Sequence, residues 1–242
     1  ADSYCEVIVG RFSAENVTHV NTQVDRTIEY ELNPSTSANW LNKGIGIGSD
    51  QGPGDDNEYD WQHIRGLRTK LLNYEYSDID ELYDGDQGGL DLPGSPTTAN
   101  VTTDVNNGAG IIFYTGHGAS DQFVTTGFSN ADIPSLTNTH RWPFIWSVAC
   151  VNGEFNNGTC FAEAWLRATS GGLPSGALAT FMSTINQSWA PPMEGEDEMV
   201  DLLVESYAGN IKRTFGGLSM SGCMKMNDAY AAAGTEMTDT WT

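Results

Sequence analysis

Five short apolar runs, separated by longer amphipathic or turn-rich stretches, set the fold class of this 242-residue chain. They are residues 6–12 (EVIVGRF), 44–49 (GIGIGS), 110–115 (GIIFYT), 143–150 (PFIWSVAC) and 178–183 (LATFMS). Each is rich in Ile, Val or Phe and nearly free of charge, the pattern of a strand buried on both faces of a parallel sheet. Between them, apolar residues recur at helical spacing. Trp61, Ile64, Leu67 and Leu71 predict a helix over 58–72, and Met199, Leu202, Leu203 and Tyr207 predict one over 194–207. Two more are predicted over 161–168 and 218–233. The alternation of strand and helix predicts an α/β fold, with a mostly parallel central sheet and helices on both faces. Residues 84–100 (DGDQGGLDLPGSPTTAN) read as the longest loop, an excursion open to nicking.

Charge narrows the partners. The chain carries 32 acidic and 11 basic residues, a net charge of −21. That argues against nucleic acid, whose phosphates need Lys and Arg, and against anionic membrane surfaces. A negative field favours basic ligands. No apolar stretch approaches the roughly 18–20 residues of a membrane span. The opening Ala1-Asp2-Ser3-Tyr4 lacks the pattern of a signal peptide, so a mature chain is expected.

In such sheets, chemistry gathers at the carboxyl ends of the strands. Two of the runs end on reactive residues there: 111–118 (IIFYTGHG) on His117 and 144–150 (FIWSVAC) on Cys150, 33 residues apart. One crossover fits that spacing, so adjacent parallel strands could bring both side chains to one rim. A thiol beside an imidazole is the pairing a cysteine nucleophile needs. The amides of Gly118 and Cys150 could face a developing oxyanion. The competing reading is two core residues that happen to end strands. Of the other cysteines, Cys160 heads an apolar helix and is expected to be buried and inert, whereas Cys5 and Cys223 could pair. His19, His63 and His140 show no partner pattern and read as surface or structural residues.

The blocks YTGHG at 114–118 and PFIWSVACVNGEF at 143–155, with EVIVGRF at 6–12, TQVDRTIEYE at 22–31 and CFAEAWLRA at 160–168, resemble the gingipain family of the caspase-like clan of cysteine peptidases. STINQSWAPPMEGEDEM at 183–199, NIKRTFGG at 210–217 and DTWT at 239–242 extend the resemblance, which is closest to the arginine-specific branch. It implies a caspase-like three-layer sandwich. Cys150 would be the nucleophile, His117 the general acid/base, and the amides of Gly118 and Cys150 the oxyanion hole. Asp60 would form the base of the primary specificity pocket, Trp189 would lie over the P1 side chain and Met193 would form another wall. An acidic residue behind the histidine falls within Ser49-Asp50-Gln51, and Asp50 is the expected one.

The resemblance further implies a domain division, with residues 1–35 ending an amino-terminal subdomain as a linking strand and helix. Residues 36–242 would form the catalytic subdomain, without the carboxyl-terminal strand and immunoglobulin-like domain that follow in the family. Substrates would be proteins or peptides with a basic P1 residue, and a second chain from the same precursor is a further expected partner. Secretion is expected. No cofactor is required for the chemistry, and structural calcium is implied by resemblance alone. Two alternatives stay open: a peptidase of this fold with another P1 preference, and a calcium-dependent binding or adhesion module without turnover.

Overall fold

The computed structural model describes residues 4–32 and 38–241. In chain order the elements are α1 (Val17–Leu32), β1 (Lys43–Gly48), α2 (Asp60–Tyr74), β2 (Asp78–Tyr83), α3 (Thr98–Asn107), β3 (Ile111–Thr115) and a short hairpin of β4 (Gly118–Ala119) and β5 (Gln122–Phe123). There follow β6 (Phe144–Val148), α4 (Phe161–Arg167), the hairpin β7 (Thr169–Ser170) and β8 (Leu173–Pro174), β9 (Ala179–Met182), α5 (Ala190–Leu203), α6 (Phe215–Tyr230) and α7 (Ala232–Thr240).

The main sheet runs β2-β1-β3-β6-β9 and every pairing in it is parallel. Successive residues of β3 serve opposite faces. Ile112 and Tyr114 pack with Val101 and Val105 of α3 and Phe161 and Trp165 of α4. Ile111 and Phe113 pack with Ile64 and Leu67 of α2, Met199 of α5 and Met226 of α6. This is the expected α/β sandwich, and β3 is the buried centre that its unbroken apolar sequence demanded. From β1 the chain crosses through α2 to β2 on one side, then through α3 to β3 on the other. The order therefore reverses between β1 and β3, the place where such sheets open a crevice at their carboxyl ends.

Four of the five predicted strands form. The fifth, at 6–12, does not: among the described residues it enters no sheet, and Val7 and Val9 are 73% and 85% exposed. Its apolar composition resembled a core strand, but no neighbouring strand is present to pair with it. The helix expected within 1–35 is α1, held by a polar face of Thr22, Gln23 and Arg26 rather than by an apolar stripe. Arg26 is wholly buried and donates to the carbonyls of Ser175 (2.6 Å), Ala177 and Leu166.

Strand β2 was hidden by its charges. In DIDELY, Ile79, Leu82 and Tyr83 face inward, and Glu81 is buried against Arg65 (2.9 Å) and Arg68 (3.4 Å). Helix α5 starts earlier than predicted, because Pro191 and Pro192 lie in its first turn, where missing N–H groups cost nothing. The helix predicted over 218–233 is two helices, broken at Ala231 (φ 49°). Residues 84–97 are irregular but not loose. Asp91 accepts from the amides of Tyr83 (3.0 Å) and Gln87 (2.9 Å) and pins the excursion to the sheet.

Candidate active site

The carboxyl ends of β1, β3 and β6 are in register, with Gly48 opposite Thr115 and Thr115 opposite Val148. His117 and Cys150 each lie two residues beyond that registered row. The strand ends continue to touch: the Gly116 amide donates to the Val148 carbonyl at 3.1 Å. At Gly118 there is no room for a side chain, since a Cβ would sit 2.3 Å from the Cys150 carbonyl oxygen and 3.0 Å from its nitrogen. The main chains after the histidine and at the cysteine are therefore packed directly on each other. Asn152, fully buried, clamps them, donating to the carbonyls of Ala119 (2.6 Å) and Gln122 (2.9 Å) and accepting from Ser147 (3.0 Å).

His117 is exposed at this rim. Its carbonyl accepts from the Val124 amide (3.1 Å) and from the Tyr114 hydroxyl (2.5 Å), and its ring stands edge-on to Trp189 with centroids 5.0 Å apart. Cys150 is half-buried and lines a small cavity with Gly116, Gln187, Ser188 and Trp189. Gln187 supports it twice: its side-chain oxygen accepts from the Ala149 amide (3.0 Å), and its carbonyl lies 3.8 Å from the Cys150 Sγ. Val151, the next residue, is held at φ 48°, a left-handed conformation costly for a β-branched side chain.

All four cysteines are free, so the Cys5–Cys223 pairing does not form. Cys160 and Cys223 are buried, and burial pushes both thiols up, that of Cys223 to about 12. Buried thiols of that kind are poor nucleophiles. Cys150 is the thiol that opens onto the cavity.

Asp60 is the first residue of α2 and is 0% exposed. Gly48 is what lets it come so close, for a Cβ there would lie 2.7 Å from the Trp61 Cα. The two Asp60 oxygens accept from the Ser49 hydroxyl and the Trp189 indole N–H (2.6 Å). Burial pushes this carboxyl up; the two hydrogen bonds and the positive potential of His63 and His117 oppose that shift. Trp189 precedes α5 and Met193, fully buried, lies in its first turn. The structure thus brings Asp60, Trp189 and Met193 into one corner beside His117 and Cys150.

Asp50 is exposed, and its carboxylate accepts from the Gln51 side chain at 2.6 Å. Among the described residues no hydrogen bond joins it to His117. Of the trio 49–51, Ser49 is the one whose side chain reaches the site, while the Gln51 carbonyl accepts from the Asp60 amide at 3.0 Å. Among the described residues, no group of three or more His, Cys, Asp and Glu is arranged to hold a metal ion. The roles of Ser49, Asn152 and Gln187 are not displayed by the sequence. Asn152 and Gln187 lie inside the ACVNG and STINQSW blocks, but neutral side chains that bind main chain carry no signal of their own.

The chain belongs to peptidase family C25, whose model matches residues 1–242. Among curated relatives it is 45% identical to Gingipain R2 and 44% identical to Gingipain R1, both of Porphyromonas gingivalis, over 244 aligned residues in each case. Those alignments cover 100% of this chain but 32% and 24% of the relatives, so the chain spans at most about a third of their length. A crystal structure of the Arg-specific cysteine proteinase gingipain R superposes with a TM-score of 0.94 at 43% identity, over 100% of this chain and 54% of that one. A complex of the pro- and mature domains of RgpB from the same organism gives 0.93 at 44% identity, covering 100% and 56%.

Proposed function

We propose that this chain carries the catalytic centre of a secreted cysteine endopeptidase that cuts after arginine. The supporting observation is the corner itself, where a buried carboxylate stands beside a half-exposed thiol at the same rim of the sheet. A P1 guanidinium would enter against Asp60 and form a charge-assisted, bidentate pair that a lysine ammonium cannot match. Trp189 would cover it and add cation–π attraction, with Met193 as an apolar wall.

His117 takes the proton of the Cys150 thiol, and the sulfur attacks the carbonyl carbon of the P1 residue. The amides of Gly118 and Cys150 hold the oxyanion. Collapse breaks the C–N bond, the proton on His117 passes to the leaving amine, and a thioester remains. Water, deprotonated by His117, then releases the carboxylate product and the free thiol. Asp50 has no step in this sequence. Structural calcium, implied by resemblance, has none either.

Peptides with basic P1 are the proposed substrates, and the negative net charge favours their approach. Among the described residues no helix is long and apolar enough to cross a membrane. The curated relatives are longer, and a further chain or domain of the same precursor is a proposed partner.

An arginyl chloromethyl ketone, followed by peptide mapping, tests the assignment. The expected result is one adduct on Cys150 and loss of turnover, with an arginine reporter cleaved faster than lysine or asparagine reporters. A Cys150→Ala chain that still cleaves the arginine reporter would refute it, and a binding module would then be the better reading.

A further inference from the structure

A buried charged pair directly behind the specificity corner has no role in the mechanism above. The side chains of His63 and Glu196 are 1% and 0% exposed, and His63 Nε2 lies 3.2 Å from Glu196 Oε2. Each stands three residues, about one helical turn, after a corner residue: His63 after Asp60 on α2, and Glu196 after Met193 on α5. The same Glu196 oxygen accepts from the Thr115 hydroxyl at 3.1 Å. Thr115 is the last residue of β3, two before His117. One carboxylate therefore joins the helix that carries Asp60, the helix that carries Met193 and the strand that carries His117.

Stability does not account for the pair. Burying two charges costs several kcal/mol of desolvation, and replacing such a pair by apolar residues of similar size often leaves a fold as stable or more so. The other Glu196 oxygen, Oε1, is buried without a hydrogen bond, which adds to the cost. What the pair supplies is a fixed geometry. Around His63 stand Glu58, from the segment before α2 (3.6 Å), and Asp197 of α5 (3.5 Å), together with Asp60 on its own helix. Lys70 of α2 binds Asp197 at 2.8 Å and shares its charge. Burial would strip the imidazole of its proton, but the hydrogen bonds to Glu196 and Glu58 and the charge of Asp197 outweigh it, and its pKa is pushed up to about 10. The same burial pushes the Glu196 carboxyl up, and its hydrogen bonds to His63 and Thr115 oppose that shift.

We propose that His63 and Glu196 are positioning residues for the primary specificity pocket: their pair holds the turn of α2 that carries Asp60, the carboxylate that receives a basic P1 side chain, against the turn of α5 that carries Met193. The proposal rests on the reading of Asp60 as that receptor.

The test compares Glu196→Gln, which keeps the shape and the Thr115 bond, and His63→Gln with the unsubstituted chain. Active thiol is first counted with the arginyl chloromethyl ketone, and thermal melts are recorded in parallel. KM for an arginine reporter is expected to rise about tenfold with kcat within about twofold, since misplacing a binding group raises the ground-state and transition-state energies together. The arginine-over-lysine preference should narrow in both variants, and in His63→Gln, which removes the imidazole that holds the Asp60 carboxyl down, the acid limb of kcat/KM should move to higher pH. Unchanged KM and preference in both variants would overturn the proposal. So would equal losses on both reporters that simply follow a lowered melting temperature. If the unsubstituted chain gives neither a Cys150 adduct nor arginine turnover, the failure lies in the proposed function instead, and the positioning role falls with it.

Discussion

Asp60→Asn exchanges a charge for a neutral amide at a site whose shape is already fixed. The side chain is fully buried, and its oxygens accept from Ser49 and from the Trp189 indole. Asparagine can keep both contacts. Its oxygen would face the indole N–H, and its NH2 would donate to the Ser49 hydroxyl oxygen, which also accepts from the Gln51 amide at 3.1 Å. Because burial has pushed this carboxyl up, removing the charge relieves desolvation. The variant should therefore fold normally, with stability unchanged or higher by about 1 kcal/mol.

Function should move the opposite way. Removing one member of a buried, hydrogen-bonded charge pair costs about 2–5 kcal/mol. That is a loss of roughly 30-fold to several-thousand-fold in kcat/KM. The loss should appear with arginine and lysine reporters and be small with a citrulline reporter, which has the same shape without the charge. The pH dependence has a defined sign. The carboxylate binds a cation only above its pKa, and that pKa is raised. Arginine turnover should therefore fall on acidification from a pH above the ordinary carboxylate range, and the citrulline reporter should lack this limb. Reporter kinetics across pH, with thermal melts, measure both halves. If Asp60→Asn keeps its arginine kcat/KM within about threefold, or loses arginine and citrulline turnover equally, Asp60 is not the P1 receptor.

Two further predictions follow from packing. Gly118→Ala would place a Cβ 2.3 Å from the Cys150 carbonyl oxygen and push the two strand ends apart. Its kcat should fall by about a hundredfold with KM little changed, and a normal kcat would show that the contact is not needed for turnover. Arg26→Met would leave the carbonyls of Ser175, Ala177 and Leu166 buried without a donor. A destabilisation of about 2–5 kcal/mol is expected in chemical denaturation; a change under about 0.5 kcal/mol would mean that α1 is held by other contacts.

The centre of the fold was legible because parallel strands buried on both faces have to be apolar throughout, as in residues 110–115 and 143–148. The rim was legible for the same reason: each run ends at one conspicuous reactive side chain. The edges were harder. Strand β2 carries three acids in six residues because Asp78 and Asp80 are exposed and Glu81 is neutralised from α2, a partnership of residues 16 apart that local spacing does not display. Residues 6–12 misled in the opposite direction, since β-propensity without a partner strand makes no strand. The His63–Glu196 pair spans 133 residues and could be found only after the helices were in place. Asp60, Trp189 and Met193 entered through resemblance. Composition gives no reason to gather them.

Because Gly48 leaves no gap between the end of β1 and the start of α2, main chain sets the floor of the recognition corner. The thiol and the imidazole hang from different strands, β6 and β3. On the proposed assignment, a new side-chain preference would be sought by exchanging residue 60 or 193, with Cys150 and His117 left in place. Recognition side chains, so assigned, stand on α2 and α5 while the reacting side chains stand beyond β3 and β6, and the ties between them run through Trp189 and Glu196.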